Sequence, residues 1–149
     1  MKPLFVLWGT FVTMLIVTRI FCPQIDYALS GKTALAVMLL FTSVGHFMFT
    51  EGMTGMLPDF VPFRVQLIYA TGLLEIAAAI GLFVPRLQTL TGMLLIIFFA
   101  LILPANVYAA QKYLNYETGK SDGKGPSYLW FRIPFQLLLI FWTYFCVIG

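Results

Sequence analysis

Charge is the scarcest commodity in this sequence. Nine basic and six acidic residues make up 10% of the 149-residue chain, where an ordinary soluble domain carries roughly 25%. Histidine occurs once, at His46, so no HExxH helix or histidine cluster exists to hold a catalytic metal. Cysteine occurs twice, at Cys22 and Cys146, too far apart for a CxxC redox motif and too few for a thiolate metal site. No haem, flavin or iron–sulfur signature is present, so no intrinsic cofactor is expected and the chain cannot move electrons unaided. The basic residues are scattered singly, with no basic run interleaved with aromatics, which excludes nucleic acid as a partner. Ser30-Gly31-Lys32-Thr33 and Gly119-Lys120-Ser121 end like phosphate loops, but neither has a glycine five residues before its Gly-Lys pair.

What is abundant is apolar: 60% of the residues are hydrophobic. A soluble surface of that composition would consist of aggregating patches, so membrane lipids are the expected solvent. Apolar runs cover residues 4–21, 33–49, 65–84, 87–110 and 129–148. Each approaches the roughly 20 residues that a helix needs to cross a hydrocarbon core of about 30 Å. None shows the period-two alternation of a barrel strand, and only helices satisfy their own backbone groups along such runs in lipid. The fold class expected is therefore all-α, one transmembrane helical domain over residues 1–149. The first run resembles a signal peptide, but its length and the lack of a small-residue cleavage site favour a retained helix.

Turn chemistry sets the expected boundaries. Cys22-Pro23-Gln24 ends the first helix, and Ser30-Gly31-Lys32 opens the second. Pro85-Arg86 makes a tight link, so the third and fourth helices are expected to be antiparallel neighbours. Residues 51–63, with Pro58, Pro62, Phe60 and Phe63, read as a partly buried interfacial segment. Residues 111–127 form the one hydrophilic loop, flexible around Gly119–Pro126. With five spans the side bearing the N-terminus collects Lys2, Arg64, Lys112, Lys120, Lys124 and Arg132, against Arg19, Lys32 and Arg86 opposite. That bias places the N-terminus in the cytoplasm, and the chain in the plasma (inner) membrane. Both cysteines then fall on the outer side, where a disulfide is chemically allowed, although two apolar thiols used for packing are the preferred reading.

Polar residues inside the apolar runs point to a site. Glu75 lies eleven positions after Arg64, about 16 Å along a helix rising 1.5 Å per residue. At that depth a carboxyl group must be neutral, paired or facing a polar cavity. Thr71, Gly72, Ala78, Ala79 and Leu82 share its face. A second stripe comprises Thr42, Ser43, His46 and Thr50, and a third Tyr128, Arg132, Gln136 and Thr143. Asn106 follows Pro104, which removes one helical hydrogen bond. His46, Asn106, Arg132 and Gln136 occupy one half of the bilayer, with Glu75 deepest. The expectation is one pocket lined by all five and closed by residues 51–63. Glu75 and His46 are the candidate catalytic pair; Glu75, Glu51 and Asp59 are the candidate partners of Arg132, whose guanidinium stays charged. A structural role, polar residues specifying helix packing, is the competing reading.

Several strings resemble the DoxX-like family of small polytopic membrane proteins. They are Gly45-His46-Phe47, Leu57-Pro58-Asp59-Phe60-Val61-Pro62, Thr71-Gly72-Leu73-Leu74-Glu75-Ile76 with Gly81-Leu82, Pro104-Ala105-Asn106-Val107-Tyr108, and Leu129-Trp130-Phe131-Arg132-Ile133-Pro134-Phe135-Gln136. The resemblance runs from about Thr33 to the C-terminus and implies a four-helix core, to which residues 4–21 add one helix. The family takes its name from a subunit associated with a thiosulfate–quinone oxidoreductase, and its helical core is similar to that of emopamil-binding-type sterol isomerases. It thus implies a membrane subunit that binds a quinone or lipid and acts with a redox partner subunit. Alternatives are an acid–base isomerase acting on a lipid through Glu75 and His46, and a purely structural or assembly protein.

Overall fold

The computed structural model describes residues 2–149. Those residues form six α-helices: α1 (Lys2–Phe21), α2 (Tyr27–Met48), the short α3 (Thr50–Thr54), α4 (Arg64–Gly81), α5 (Gln88–Gln111) and α6 (Leu129–Thr143). A 3-10 turn, Gly125–Tyr128, leads into α6, and a π turn, Tyr144–Ile148, prolongs it. Five of these segments are long and apolar enough to cross a membrane, and the described residues contain no strand. The protein is an all-α membrane helix bundle. Large apolar side chains face outward on every long helix, among them Phe5, Phe41, Leu73, Leu94 and Phe141.

Two boundaries differ from expectation. Helix α2 begins at Tyr27, six residues before the expected start at Thr33, because the Asp26 carboxylate caps it by accepting from the Leu29 amide at 2.8 Å. Ser30, Gly31 and Lys32 are therefore helical and do not form the opening turn. Gly31 is there for clearance: a Cβ would overlap the Cys146 side chain, and Trp142 Nε1 donates to the Gly31 carbonyl at 3.1 Å. Helix α4 ends at Gly81, three residues before the expected 84. Phe83 and Val84 donate to the carbonyls of Ile80 and Gly81 in a tightening turn, and Pro85 cannot continue a helix.

Helix α2 is central, packed on α1, on α4 and, through Trp142, on α6. Helix α4 lies along α2, while α5 lies along α6. The expectation that α4 and α5 would be close neighbours holds only sparsely: Thr91 seats on Gly81 beside their turn, and few other contacts join them. Small residues decide this. A Cβ at Gly72 would stand 3.0 Å from His46 Cβ, so α4 nests against α2 and away from α5.

The two ends of the bundle are tied. At one, Lys32 Nζ donates to Gln88 Oε1 at 3.1 Å, and Gln88 Nε2 donates to the Val147 carbonyl at 2.8 Å. At the other, Lys2 pairs with Glu117 at 2.8 Å. There Gly52 lies so close to the Tyr116 carbonyl that any Cβ would overlap it. Between these ties the α2–α4 and α5–α6 pairs stand apart. The space between them is the site.

Candidate functional site

A cavity of about 770 Å³ occupies that space, within the range of roughly 300–1,000 Å³ typical of small-molecule sites. Its wall is mostly aliphatic and aromatic, with Met38, Ile68, Phe98, Phe99, Ile102 and Leu139 contributing. All five residues expected to share a pocket line it: His46, Glu75, Asn106, Arg132 and Gln136. Met53, Met56 and Leu57 close it from the segment 51–63, as expected. The loop 111–127 joins them through Tyr116 and Glu117, which sequence reasoning did not include. Ser43, expected on the polar stripe of His46, does not line the cavity; its hydroxyl donates to the Leu40 carbonyl at 2.8 Å.

The deep polar wall is a quartet built by two antiparallel helices. His46 Nε2 stands 3.5 Å from Glu75 Oε2, and both side chains are largely buried. Thr42, one turn before His46 on α2, donates to Glu75 Oε2 at 3.1 Å. Thr71, one turn before Glu75 on α4, lies 3.2 Å from His46 Nδ1. Each threonine thus reaches across to the ionisable residue of the other helix, because in this register residues 42 and 46 face 75 and 71. The i, i+4 spacing of Thr-x-x-x-His and Thr-x-x-x-Glu was legible in the sequence. The antiparallel register that crosses the two was the missing piece.

Each threonine hydroxyl carries one hydrogen and has two acceptors in reach. Thr71 lies 2.7 Å from the Ile68 carbonyl and 3.2 Å from His46 Nδ1, and the imidazole tautomer decides whether Nδ1 donates or accepts there. Thr42 lies 3.0 Å from the Leu39 carbonyl and 3.1 Å from Glu75 Oε2. At 3.5 Å His46 Nε2 and Glu75 Oε2 are just beyond the usual hydrogen-bond range of 2.7–3.2 Å. A ligand oxygen seated beside the two atoms would be within reach of both.

The opposite wall is a second polar pair. Asn106 Nδ2 donates to Gln136 Oε1 at 3.1 Å, both residues buried. Pro104 and Pro134 each remove a helical N–H near this wall. Arg132 does not take any of its expected partners. Glu75 faces His46, Asp59 pairs with Arg64 at 2.9 Å, and Glu51 is exposed. Instead the guanidinium lies over the rings of Tyr128, at 5.1 Å, and Tyr116, at 5.8 Å. The physical reason is position around the bundle: α6 packs on α5, across the cavity from α4. Burial pushes the Tyr116 phenol up from its ordinary value of 10.0, with Arg132 opposing more weakly. Among the described residues no group of three or more His, Cys, Asp or Glu side chains is placed to hold a metal.

Residues 35–147 match a family model described as a domain of unknown function, DUF8561. No curated protein and no solved structure matches the chain.

Proposed function

Since the chain belongs to the DUF8561 family, whose description assigns no activity, its role must be argued from its own cavity, and we propose that it binds a lipophilic small molecule, a quinone or a lipid, within the membrane. The observation that carries this reading is the 770 Å³ apolar cavity with a buried His46–Glu75 pair on its wall. Apolar lining with a few convergent polar groups is how proteins hold and orient such molecules. A ligand carbonyl or hydroxyl oxygen beside Nε2 and Oε2 would gain a hydrogen bond that the pair makes only weakly with itself at 3.5 Å. Reduction or oxidation of a bound quinone would require a redox partner subunit to supply the electrons. The DoxX-like resemblance, a location in the plasma (inner) membrane and a cytoplasmic N-terminus belong to the same proposal. A second reading is favoured by the buried juxtaposition of His46 Nε2 and Glu75 Oε2 at 3.5 Å. In it the pair isomerises a bound lipid, one group protonating a carbon while the other accepts a proton elsewhere.

Ala105 on α5 faces the cavity, and Ala105→Trp would place a bulky ring in it. Solvent extracts of the purified wild type should release a quinone or lipid identifiable by mass spectrometry, and extracts of Ala105→Trp should release far less. Equal yields from both proteins would defeat the binding reading. Turnover of a lipid by the isolated wild type, abolished in a folded Glu75→Gln variant, would establish the isomerase reading in its place.

A further inference from the structure

The wall of the cavity carries a charge that no carboxylate among the described residues neutralises. Lys2 is matched by Glu117 at 2.8 Å, and His46 faces Glu75. Arg132 is left over: among the described residues no carboxylate lies within 4.0 Å of it. The rings of Tyr116 and Tyr128 attract the guanidinium through their π faces, but they leave its charge in place. Tyr116 cannot act as a phenolate counter-ion, since burial holds its proton more tightly. A cation on the wall of a largely apolar cavity is costly unless an anion joins it.

Arg132 lines the main cavity itself and also a small recess of about 30 Å³ beside it, shared with Tyr116, Tyr128, Lys124 and Gly125. Tyr116, Asn106 and Met56 likewise line both spaces. Lys124 brings a second positive charge. A neutral quinone would leave both charges unanswered.

We infer that the ligand is an anionic amphiphile, with a carboxylate or phosphate head held by Arg132 on the wall of the main cavity and an apolar tail filling that cavity toward Glu75 and His46. This assignment rests on the binding reading above and narrows it. The forked guanidinium suits either headgroup, since both present paired oxygens at matching spacing. The tail lies against Phe98, Ile102 and Leu139, and its far end reaches His46 and Glu75.

The test uses the full-length protein in nanodiscs of phosphatidylcholine, titrated with palmitate, hexadecyl phosphate and methyl palmitate and read by native mass spectrometry. At least one of the two anions should bind about tenfold more tightly than the ester, the scale of one charge-assisted pair; which does so identifies the headgroup. Arg132→Gln should bring the affinity for that anion down to the level of the ester, and Arg132→Lys should restore part of the difference. Equal affinity for acid, phosphate and ester in the wild type, or a preference that survives Arg132→Gln, overturns the anion assignment and leaves the cavity reading standing. Failure of all three to bind removes both.

Discussion

The buried contact of His46 Nε2 with Glu75 Oε2 at 3.5 Å makes Glu75→Gln the most informative substitution. Glutamine keeps the volume and one carbonyl oxygen, and it replaces the other oxygen with an N–H donor beside His46. Thr71 keeps its contact with Nδ1, and Thr42 retains the Leu39 carbonyl as its acceptor. One hydrogen-bonded contact is exchanged for another, so the expected cost is within about 1 kcal/mol, a fall in Tm of roughly 2–4 °C for a chain of this size. His46→Phe should behave differently. Thr71 keeps the Ile68 carbonyl, but the buried Glu75 carboxyl is left with Thr42 as its one partner against an apolar ring, which costs about 1–3 kcal/mol. Thermal unfolding of the three proteins in one detergent measures the ordering. The reasoning is refuted if Glu75→Gln loses as much stability as His46→Phe, or about 3–5 kcal/mol, because the pair would then be a permanently ionised salt bridge.

Further expectations test other parts of the structure. With Cys22 replaced by Ser, a Lys120→Cys variant should resist a membrane-impermeant maleimide in intact cells and react after permeabilisation; labelling from outside would invert the proposed orientation. Cys22 is exposed at the end of α1 and Cys146 packs on Gly31, both as free thiols, so intact mass after alkylation should be the same with and without prior reductant. Gly52→Ala should cost about 1–3 kcal/mol, the usual penalty of overpacking, because its Cβ meets the Tyr116 carbonyl, and limited proteolysis should cut the loop 111–127 faster. Stability should decline as pH rises above 10.0, the ordinary value for tyrosine, since the folded state holds the Tyr116 proton more tightly than the unfolded chain. Tyr116→Phe should flatten that part of the curve.

Much of the bundle could be read from the sequence because membrane spans are written in length and apolarity, which need no tertiary information. The start of α2 could not. Gly31 reads as a breaker in isolation, yet Asp26 caps the helix upstream and Gly31 serves instead as the flat surface on which Trp142 and Cys146 rest. The choice between a turn glycine and a clearance glycine depends on a residue more than a hundred positions away. The contributions of Tyr116 and Glu117 were hidden for a similar reason: they sit in the one hydrophilic loop, and distant contacts with Gly52 and Lys2 fold that loop over the cavity.

Depth and direction explain why His46 and Glu75 met as expected while Arg132 and Glu75 did not. Depth follows from counting residues at 1.5 Å each, so placing all five polar residues in one half of the membrane needed only the sequence. Direction around the bundle is set by which helices nest. Gly72 lets α4 approach α2 closely enough to bring His46 and Glu75 together, whereas α6 follows α5 to the opposite wall. The separation has a chemical consequence. A Glu75–Arg132 salt bridge would have consumed the cavity's deep carboxyl group and a cation of its wall in one contact, leaving little polarity to recognise a ligand. With α2 and α4 holding the His46–Glu75 pair and α6 holding Arg132, the two poles stand on opposite sides of an apolar space. A molecule long enough to touch both must lie across the seam between the helix pairs, where it can gain contacts that neither pair offers alone.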